Sequence, residues 1–307
     1  MSGENFLQRE IRNEYLVDEQ QKKIWKVQLD LYTELKRVCD KYQLKCFPAA
    51  GTLLGAVRHD GFIPWDDDLD VAMSRKDFTK LCEVADQEFQ EPYFFQYALS
   101  DRNYFAGYAR LRNSNTTGIV SYFSGHKFNN GMFVDILVYD VIPQDARKLN
   151  TLIKRVKIHQ LLLNNYYHLN SSKKTYRLLL PFFSVIKHLI SYEDLYDRYV
   201  RVCRSYENTD SSRMGLLCIP GFIKYEATKD GIHNLIPHKF EYTEMMIPND
   251  YDYMLKKAYG DYMKFPPKEK RGIWHDGVII YDPDIPYLEY YKSHSEAFSK
   301  ALEEYQM

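Results

Sequence analysis

The chain has 307 residues, 45% hydrophobic and 27% charged, with 41 Lys and Arg against 42 Asp and Glu and a formal net charge of −1. That composition can bury a core, which excludes wholesale disorder, and the balanced charge excludes a generic nucleic-acid binder. At roughly 150 residues per domain, the length fits one large domain, or one with an appendage. The five cysteines, Cys39, Cys46, Cys82, Cys203 and Cys218, are scattered and form no C-x-x-C pair. The expectation is reduced thiols in a cytosolic protein. Met1 to Glu14 carries charges throughout, so no signal peptide is expected, and no apolar stretch reaches the ~18 residues of a membrane span.

In chain order, Ile24, Val27, Leu31, Leu35 and Val38 recur at three- and four-residue steps and predict a first helix. A strand is expected in Leu44–Ala50, broken by Gly51-Thr52, with a short helix opening at Leu53. Leu69–Met73 alternates as a strand does. Ser74 suits an N-cap for a helix over Lys76–Phe89. Further strands are expected around Phe94–Leu99 and Tyr104–Leu111, and the clearest strand is Gly131–Val138, short, apolar and Gly-bounded. The pattern is helical from Ser191 to about Tyr206, then irregular up to a final helix near Glu289–Tyr305. The segments so outlined are 1–145 as a core, 146–206 as a basic helical insertion, and 207–307 completing the core and site.

Charge is segregated. Residues 146–190 hold nine basic side chains (Arg147, Lys148, Lys154, Arg155, Lys157, Lys173, Lys174, Arg177, Lys187) and no Asp or Glu, which leaves the rest of the chain acidic. Within them lies the apolar run Leu178–Ile186, too short to span a bilayer but suited to the headgroup layer of an anionic membrane. The alternative is a helical lobe packed on the core, with a merely solvated basic face.

Trp65-Asp66-Asp67-Asp68-Leu69-Asp70-Val71 is the centre of the functional reading. Four carboxylates in five positions repel one another. On a strand, Asp68 and Asp70 would share a face and offer oxygen ligands to a hard divalent cation. An EF-hand does not fit, because its sixth position would be Val71 and its twelfth Asp77. Asp135, inside the best strand, is costly there unless paired or metal-bound, and completes a three-carboxylate cluster if the two strands are neighbours. Such a cluster without metal would be strained, so its members should be removable at little cost in stability. Gly51-Thr52 at a turn into a helix can offer N–H groups and a hydroxyl to a phosphate. This order of features is that of the nucleotidyltransferase fold, and the fold class expected is α/β (α+β), with a mixed-sheet core, a helical insertion and an irregular C-terminal wrap.

The same residues resemble a particular family. Gly51-Thr52-Leu53-Leu54-Gly55, Arg58-His59-Asp60-Gly61-Phe62-Ile63-Pro64-Trp65 and the Asp66–Val71 run look like the signature of the LicD family, which includes bacterial phosphocholine transferases and, more distantly, fukutin and fukutin-related protein. The match continues in Arg110-Leu111-Arg112-Asn113-Ser114-Asn115-Thr116, Gly131-x-x-x-Asp135-Ile136, Tyr259-Gly260-Asp261-Tyr262-Met263-x-x-Pro266-Pro267 and His275, covering roughly Lys22 to His275. The resemblance implies transfer of phosphocholine from CDP-choline to a sugar hydroxyl of a teichoic acid, lipopolysaccharide or similar glycopolymer precursor, lipid-linked or soluble, with release of CMP. With the basic segment 146–190 and a lipid-linked acceptor, an enzyme at the inner face of the cell membrane is expected, and the balanced charge leaves no nucleic-acid partner expected. The resemblance does not fix the alcohol, since fukutin-like relatives move ribitol phosphate, and glycerol phosphate is a further alternative. A true nucleotidyltransferase would instead release pyrophosphate, and a non-catalytic module would have lost the carboxylates.

Attack of a hydroxyl on a diphosphate needs a metal ion, cationic side chains and a base. Asp68 and Asp70 are the candidate ligands of Mg²⁺ or Mn²⁺, and Asp135 is a third ligand or the base. Arg58, Arg110 and Arg112 are candidates for the diphosphate, the last two from one strand face. His275 is a further site candidate. Choline is held by aromatic faces and nearby carboxylates; Trp65, next to the acidic run, is the candidate for that contact among 27 tyrosines and three tryptophans.

Overall fold

The structure is a computed structural model, and it describes residues 6–102, 104–120, 128–166, 185, 187–272 and 279–294. A hairpin of β1 (Glu10–Arg12) and β2 (Tyr15–Val17) leads into α1 (Glu19–Tyr42). The hairpin turn places Asn13 and Glu14 at φ 50° and 64°, the left-handed pair that a two-residue turn between twisted strands requires. Asp18 caps α1 by accepting from the Gln21 N–H. There follow β3 (Cys46–Pro48), α2 (Ala50–His59), β4 (Asp70–Ser74), α3 (Arg75–Glu88), β5 (Tyr93–Gln96), β6 (Ala109–Asn113), β7 (Thr117–Val120) and β8 (Met132–Val141). Two helices, α4 (Ala146–Asn164) and α5 (Tyr192–Cys203), precede β9 (Arg213–Gly215), β10 (Glu226–Thr228), α6 (Lys229–His233), β11 (Leu235–Phe240), β12 (Thr243–Pro248), α7 (Tyr251–Tyr259), β13 (Ile279–Asp282) and α8 (Tyr287–Ser293).

Seven strands form a mixed sheet around β8, an α+β arrangement. β8 pairs with β4 in parallel on one edge; on the other it pairs antiparallel with β6 and, at its end, with β9. β3 extends the β4 side, β5 lies beyond β6, and β10 beyond β9. The central position of β8 explains its composition: every residue but Asp135 is buried, as in a strand covered on both faces. Trp25, Leu29 and Leu35 of α1, Val71 and Met73 of β4, Phe78 and Leu81 of α3, and Val134 and Ile136 of β8 share one core. Leu152, Val156 and Leu163 of α4 pack with Tyr192, Leu195 and Tyr199 of α5 in a second.

Several elements differ from the sequence expectation. α2 begins at Ala50, so Gly51-Thr52 form its first turn instead of interrupting the chain. β4 begins at Asp70, which leaves Asp68 in the irregular stretch before it. β6 starts at Ala109, five residues after the expected Tyr104. The segment after Tyr206, read as irregular, carries five strands, two of which extend the main sheet. β9 and β10 are three residues each, too short for alternation to show in the sequence. Of the final helix, Tyr287–Ser293 is described, and residues from 295 onward lie outside the described residues.

Among the described residues, no helix is long and apolar enough to cross a membrane. α4 carries Arg147, Lys148, Lys154, Arg155 and Lys157 and buries Leu152, Val156 and Leu163. Lys173, Lys174, Arg177 and, apart from Val185, the run Leu178–Ile186 lie outside the described residues.

Candidate active site

The site forms where β4, β8 and β6 lie side by side. Asp70 is the register partner of Asp135 across the parallel pair, and Arg110 is its partner across the antiparallel one. Arg110 Nε donates to Asp135 Oδ1 at 2.6 Å, and its guanidinium lies 3.8 Å from the centre of the Phe133 ring. Phe133 and Asp135 are two apart on β8, so they share a face. Burial works against the Arg110 charge, but Asp135 outweighs it and holds the guanidinium protonated well above its ordinary value.

The stretch before β4 is pinned by one face of α1. Gln21 Nε2 donates to the Pro64 and Asp66 carbonyls at 2.9 and 3.1 Å, Trp25 Nε1 to the Asp66 carbonyl at 2.9 Å, and Gln28 Nε2 to the Asp67 carbonyl at 2.7 Å. Steps of four and three residues place all three side chains along one stripe of the helix. Both glutamines are buried, and these carbonyls are what they are buried against. From the other side, Thr52 Oγ1 accepts the Asp70 N–H at 2.8 Å. A Cβ on Gly51 would lie 2.9 Å from Asp66 Oδ2, so a larger residue there would have to displace the carboxylate from the first turn of α2. Ala49 leaves that first turn without a side-chain cap, and its positive end faces the acidic run.

Asp66, Asp67 and Asp68 each offer a carboxylate oxygen, and these atoms lie within 4.8 Å of one another. Burial, then the charges of Asp68 and Asp67, push the Asp66 carboxyl well above the usual range. Burial, then Asp68 and Asp135, push Asp70 the same way, with Arg110 opposing. Asp70 therefore feels the charges of Asp68 and Asp135, while the carboxylates whose oxygens gather together are Asp66, Asp67 and Asp68. A largely half-buried, all-oxygen donor set with excess negative charge suits a hard divalent cation.

The remaining candidates are dispersed. Arg112 is fully buried and donates to Gln96 Oε1 at 2.6 Å and the Gly131 carbonyl at 2.6 Å; burial and then the Arg110 charge push it down to about 9. It shares the Phe133 ring with Arg110, 4.7 Å from its centre, as two residues on one strand face should. Arg58 donates to His59 Nε2 and to the Tyr262 carbonyl, both at 2.9 Å. Trp65 is surrounded by the chain's own groups: Tyr15, His59 and Phe265 edge-on, and the Arg271 guanidinium 5.1 Å from its ring centre. His275 lies outside the described residues, as does Trp274.

Tyr108 and Tyr281 were not singled out in the sequence, and Tyr259 entered only as part of the Tyr259–Pro267 motif, with no role given to it. Burial is the main cause raising each phenol, and carboxylates of the cluster add to it: Asp135 and Asp70 at Tyr108, Asp66 and Asp70 at Tyr259, and Asp67, Asp68 and Asp135 at Tyr281. Nothing local distinguishes Tyr108 and Tyr281 from the other tyrosines. The Asp run did signal Asp66 and Asp67.

Residues 43–152 match the family described as LicD/FKTN/FKRP, nucleotidyltransferase domain. This chain contains a LicD-family domain. It is 27% identical over 250 residues to the lipopolysaccharide cholinephosphotransferase LicD of Haemophilus influenzae, covering 80% of this chain and 92% of that protein. An uncharacterized protein of Rickettsia prowazekii is 34% identical over 145 residues, 45% of this chain and 50% of its own. The LicD domain holds Gly51, Thr52, all five carboxylates and Arg110, from α2 to β8. Tyr259 and Tyr281 reach the same cluster from α7 and β13, outside it.

Proposed function

We propose that the chain is a metal-dependent transferase that moves phosphocholine from CDP-choline to a sugar hydroxyl of a cell-surface glycopolymer precursor and releases CMP. The observation that carries this reading is the sheet register that sets Asp70 opposite Asp135, with Arg110 on its far side, in a chain resembling a lipopolysaccharide cholinephosphotransferase along most of both lengths. The sequence reading also allowed ribitol or glycerol phosphate as the transferred group.

Asp68, Asp70 and Asp135 would hold Mg²⁺ or Mn²⁺, with Asp66 and Asp67 adjoining. A bound cation would neutralise phosphate oxygens and the leaving CMP. Arg110 orients Asp135 and brings a positive charge to the edge of the acidic cluster, where a diphosphate needs one. Asp135, oriented by that pair, is the group placed to take the acceptor hydroxyl's proton if it does not ligate. Gly51 and Thr52 act through the first turn of α2: the glycine admits Asp66 and the threonine fixes the backbone of Asp70. Arg112, bound to Gln96 and two strand-end carbonyls, supports Phe133 from within the sheet. Arg58 joins His59, Trp65, Phe265 and Arg271 in a wall of cations and rings beside the acidic run. We place the enzyme at the cytoplasmic face of an anionic membrane, held by the basic segment 146–190.

Incubation with CDP-choline, CDP-ribitol and CDP-glycerol, with Mg²⁺ or with EDTA, tests the proposal. CMP release from CDP-choline, abolished by EDTA and restored by Mg²⁺, is the expected result. With CTP offered as donor instead, release of pyrophosphate would point to a nucleotidyltransferase, and full activity in EDTA would remove the metal.

A further inference from the structure

Two polar atoms beside the carboxylate cluster are shut off from solvent and have no hydrogen-bond partner among the described residues, the Tyr281 hydroxyl and Arg110 Nη1. Both groups flank one ring: the Arg110 guanidinium lies 3.8 Å from the centre of Phe133, and the Tyr281 ring centre lies 6.4 Å from it. Buried polar groups normally find partners, because an orphaned donor forfeits its hydration without return. The fold does not require this hydroxyl, since phenylalanine would pack against Phe133 equally well. Nor is the side chain there by looseness. β13 pairs with β7, with Tyr281 opposite Gly118. Beyond it, Asp282 accepts the N–H groups of Asp284 and Ile285, and Thr117 Oγ1 donates to the Ile285 carbonyl.

We propose that the Tyr281 hydroxyl and Arg110 Nη1 are paired donors for one phosphoryl oxygen of the diphosphate substrate, which makes Tyr281 a substrate-contacting residue supplied from outside the LicD domain. This rests on the reading of the site as one for a nucleoside diphosphate donor. The chemistry of the pair selects an oxyanion. One donor is cationic and the other is a neutral phenol, a pair suited to charge-assisted hydrogen bonding. Asp135 already has its charge matched by Arg110, and a bound cation would match those of Asp67 and Asp68, which also act on Tyr281, so an incoming oxyanion meets donors at this edge.

The test is calorimetric titration of the full chain and its Tyr281→Phe variant with CDP-choline, CDP-glycerol and inorganic pyrophosphate, each with Mg²⁺, alongside CMP release and Tm. Tyr281→Phe should weaken binding of all three about ten- to a hundredfold, the range of one hydrogen bond to a charged group, with Tm unchanged or raised. Equal affinity of the two proteins for pyrophosphate and CDP-choline would overturn the proposal, as would a marked fall in Tm, which would make the hydroxyl structural. If the wild type binds pyrophosphate, the variant loses it, and neither turns over a CDP-alcohol, the donor pair stands and the transferase reading falls. If both proteins bind and turn over CDP-choline alike, the transferase reading stands and the donor pair falls. A wild type that binds none of the three overturns both.

Discussion

Asp70 and Asp135 face each other across β4 and β8, yet their removal should act on stability in opposite directions. Asp70 is half-buried among like charges, so Asp70→Asn should abolish CMP release while holding or raising the metal-free Tm. Asp135 carries the buried Arg110, and Asp135→Ala leaves that guanidinium uncompensated, which should cost about 3 kcal/mol in denaturant unfolding. This revises the sequence expectation that any member of the cluster could be removed cheaply. An Asp135→Ala protein as stable as the wild type would show the ion pair to be dispensable. His59 provides a pH signature. Its Nε2 accepts from Arg58 Nε, so Nδ1 carries the proton that faces Asn13 Oδ1, and burial, then Arg58 and Arg12, push its pKa down to about 4. A folded pKa below the unfolded value gives stability that is complete above pH ~6.5 and is lost as pH falls toward 4. Tm measured against pH should show that loss in the wild type and less of it in His59→Gln; parallel profiles would assign the acid loss to other groups.

At the scale of elements, the site depends on how closely α2 approaches the loop that precedes β4. A Cβ on Gly55 would lie 2.5 Å from the Gly61 carbonyl, with backbone on both sides of the contact. Gly55→Ala should therefore cost about 1–3 kcal/mol as overpacking and displace the acidic run from Thr52. Gly221, with open space around it, should tolerate alanine, and the pair of denaturation midpoints checks the argument. The elements that position the carboxylates were legible because each has its own local signal: the apolar β8, the Ser74 cap that accepts from Asp77 N–H, and the α1 stripe. The start of α2 was not legible, because Gly51 and Thr52 disfavour helix locally and only the contacts to Asp66 and the Asp70 N–H select it. Arg112 looked like a partner of Arg110 in binding substrate; nothing in the sequence says that Gln96 and two carbonyls accept its hydrogen bonds.

For the whole molecule, the cluster is assembled from chain regions far apart in sequence. α1 pins the acidic loop, the LicD domain supplies the carboxylates, and β13 and α7 bring tyrosines from the C-terminal third. Such long-range closure leaves no local pattern, which is why the residues after Tyr206 read as irregular. The charge asymmetry is a whole-molecule property too. Each Lys or Arg near anionic lipid contributes about 1 kcal/mol, so the wild type should sediment with anionic liposomes at low salt and release at high salt. Charge reversal at Lys173, Lys174 and Arg177 should abolish this and spare activity on a soluble acceptor; indifference of the wild type to anionic liposomes would leave the segment a solvated helical lobe. The central claim, transfer of phosphocholine at a metal-binding carboxylate cluster, is tested most directly by following label from methyl-labelled CDP-choline into a purified glycolipid acceptor in the presence of Mg²⁺. Label should enter the acceptor with one CMP per choline for the wild type and not for Asp70→Asn; transfer by Asp70→Asn at the wild-type rate, or CMP released with no label in any acceptor, would contradict it.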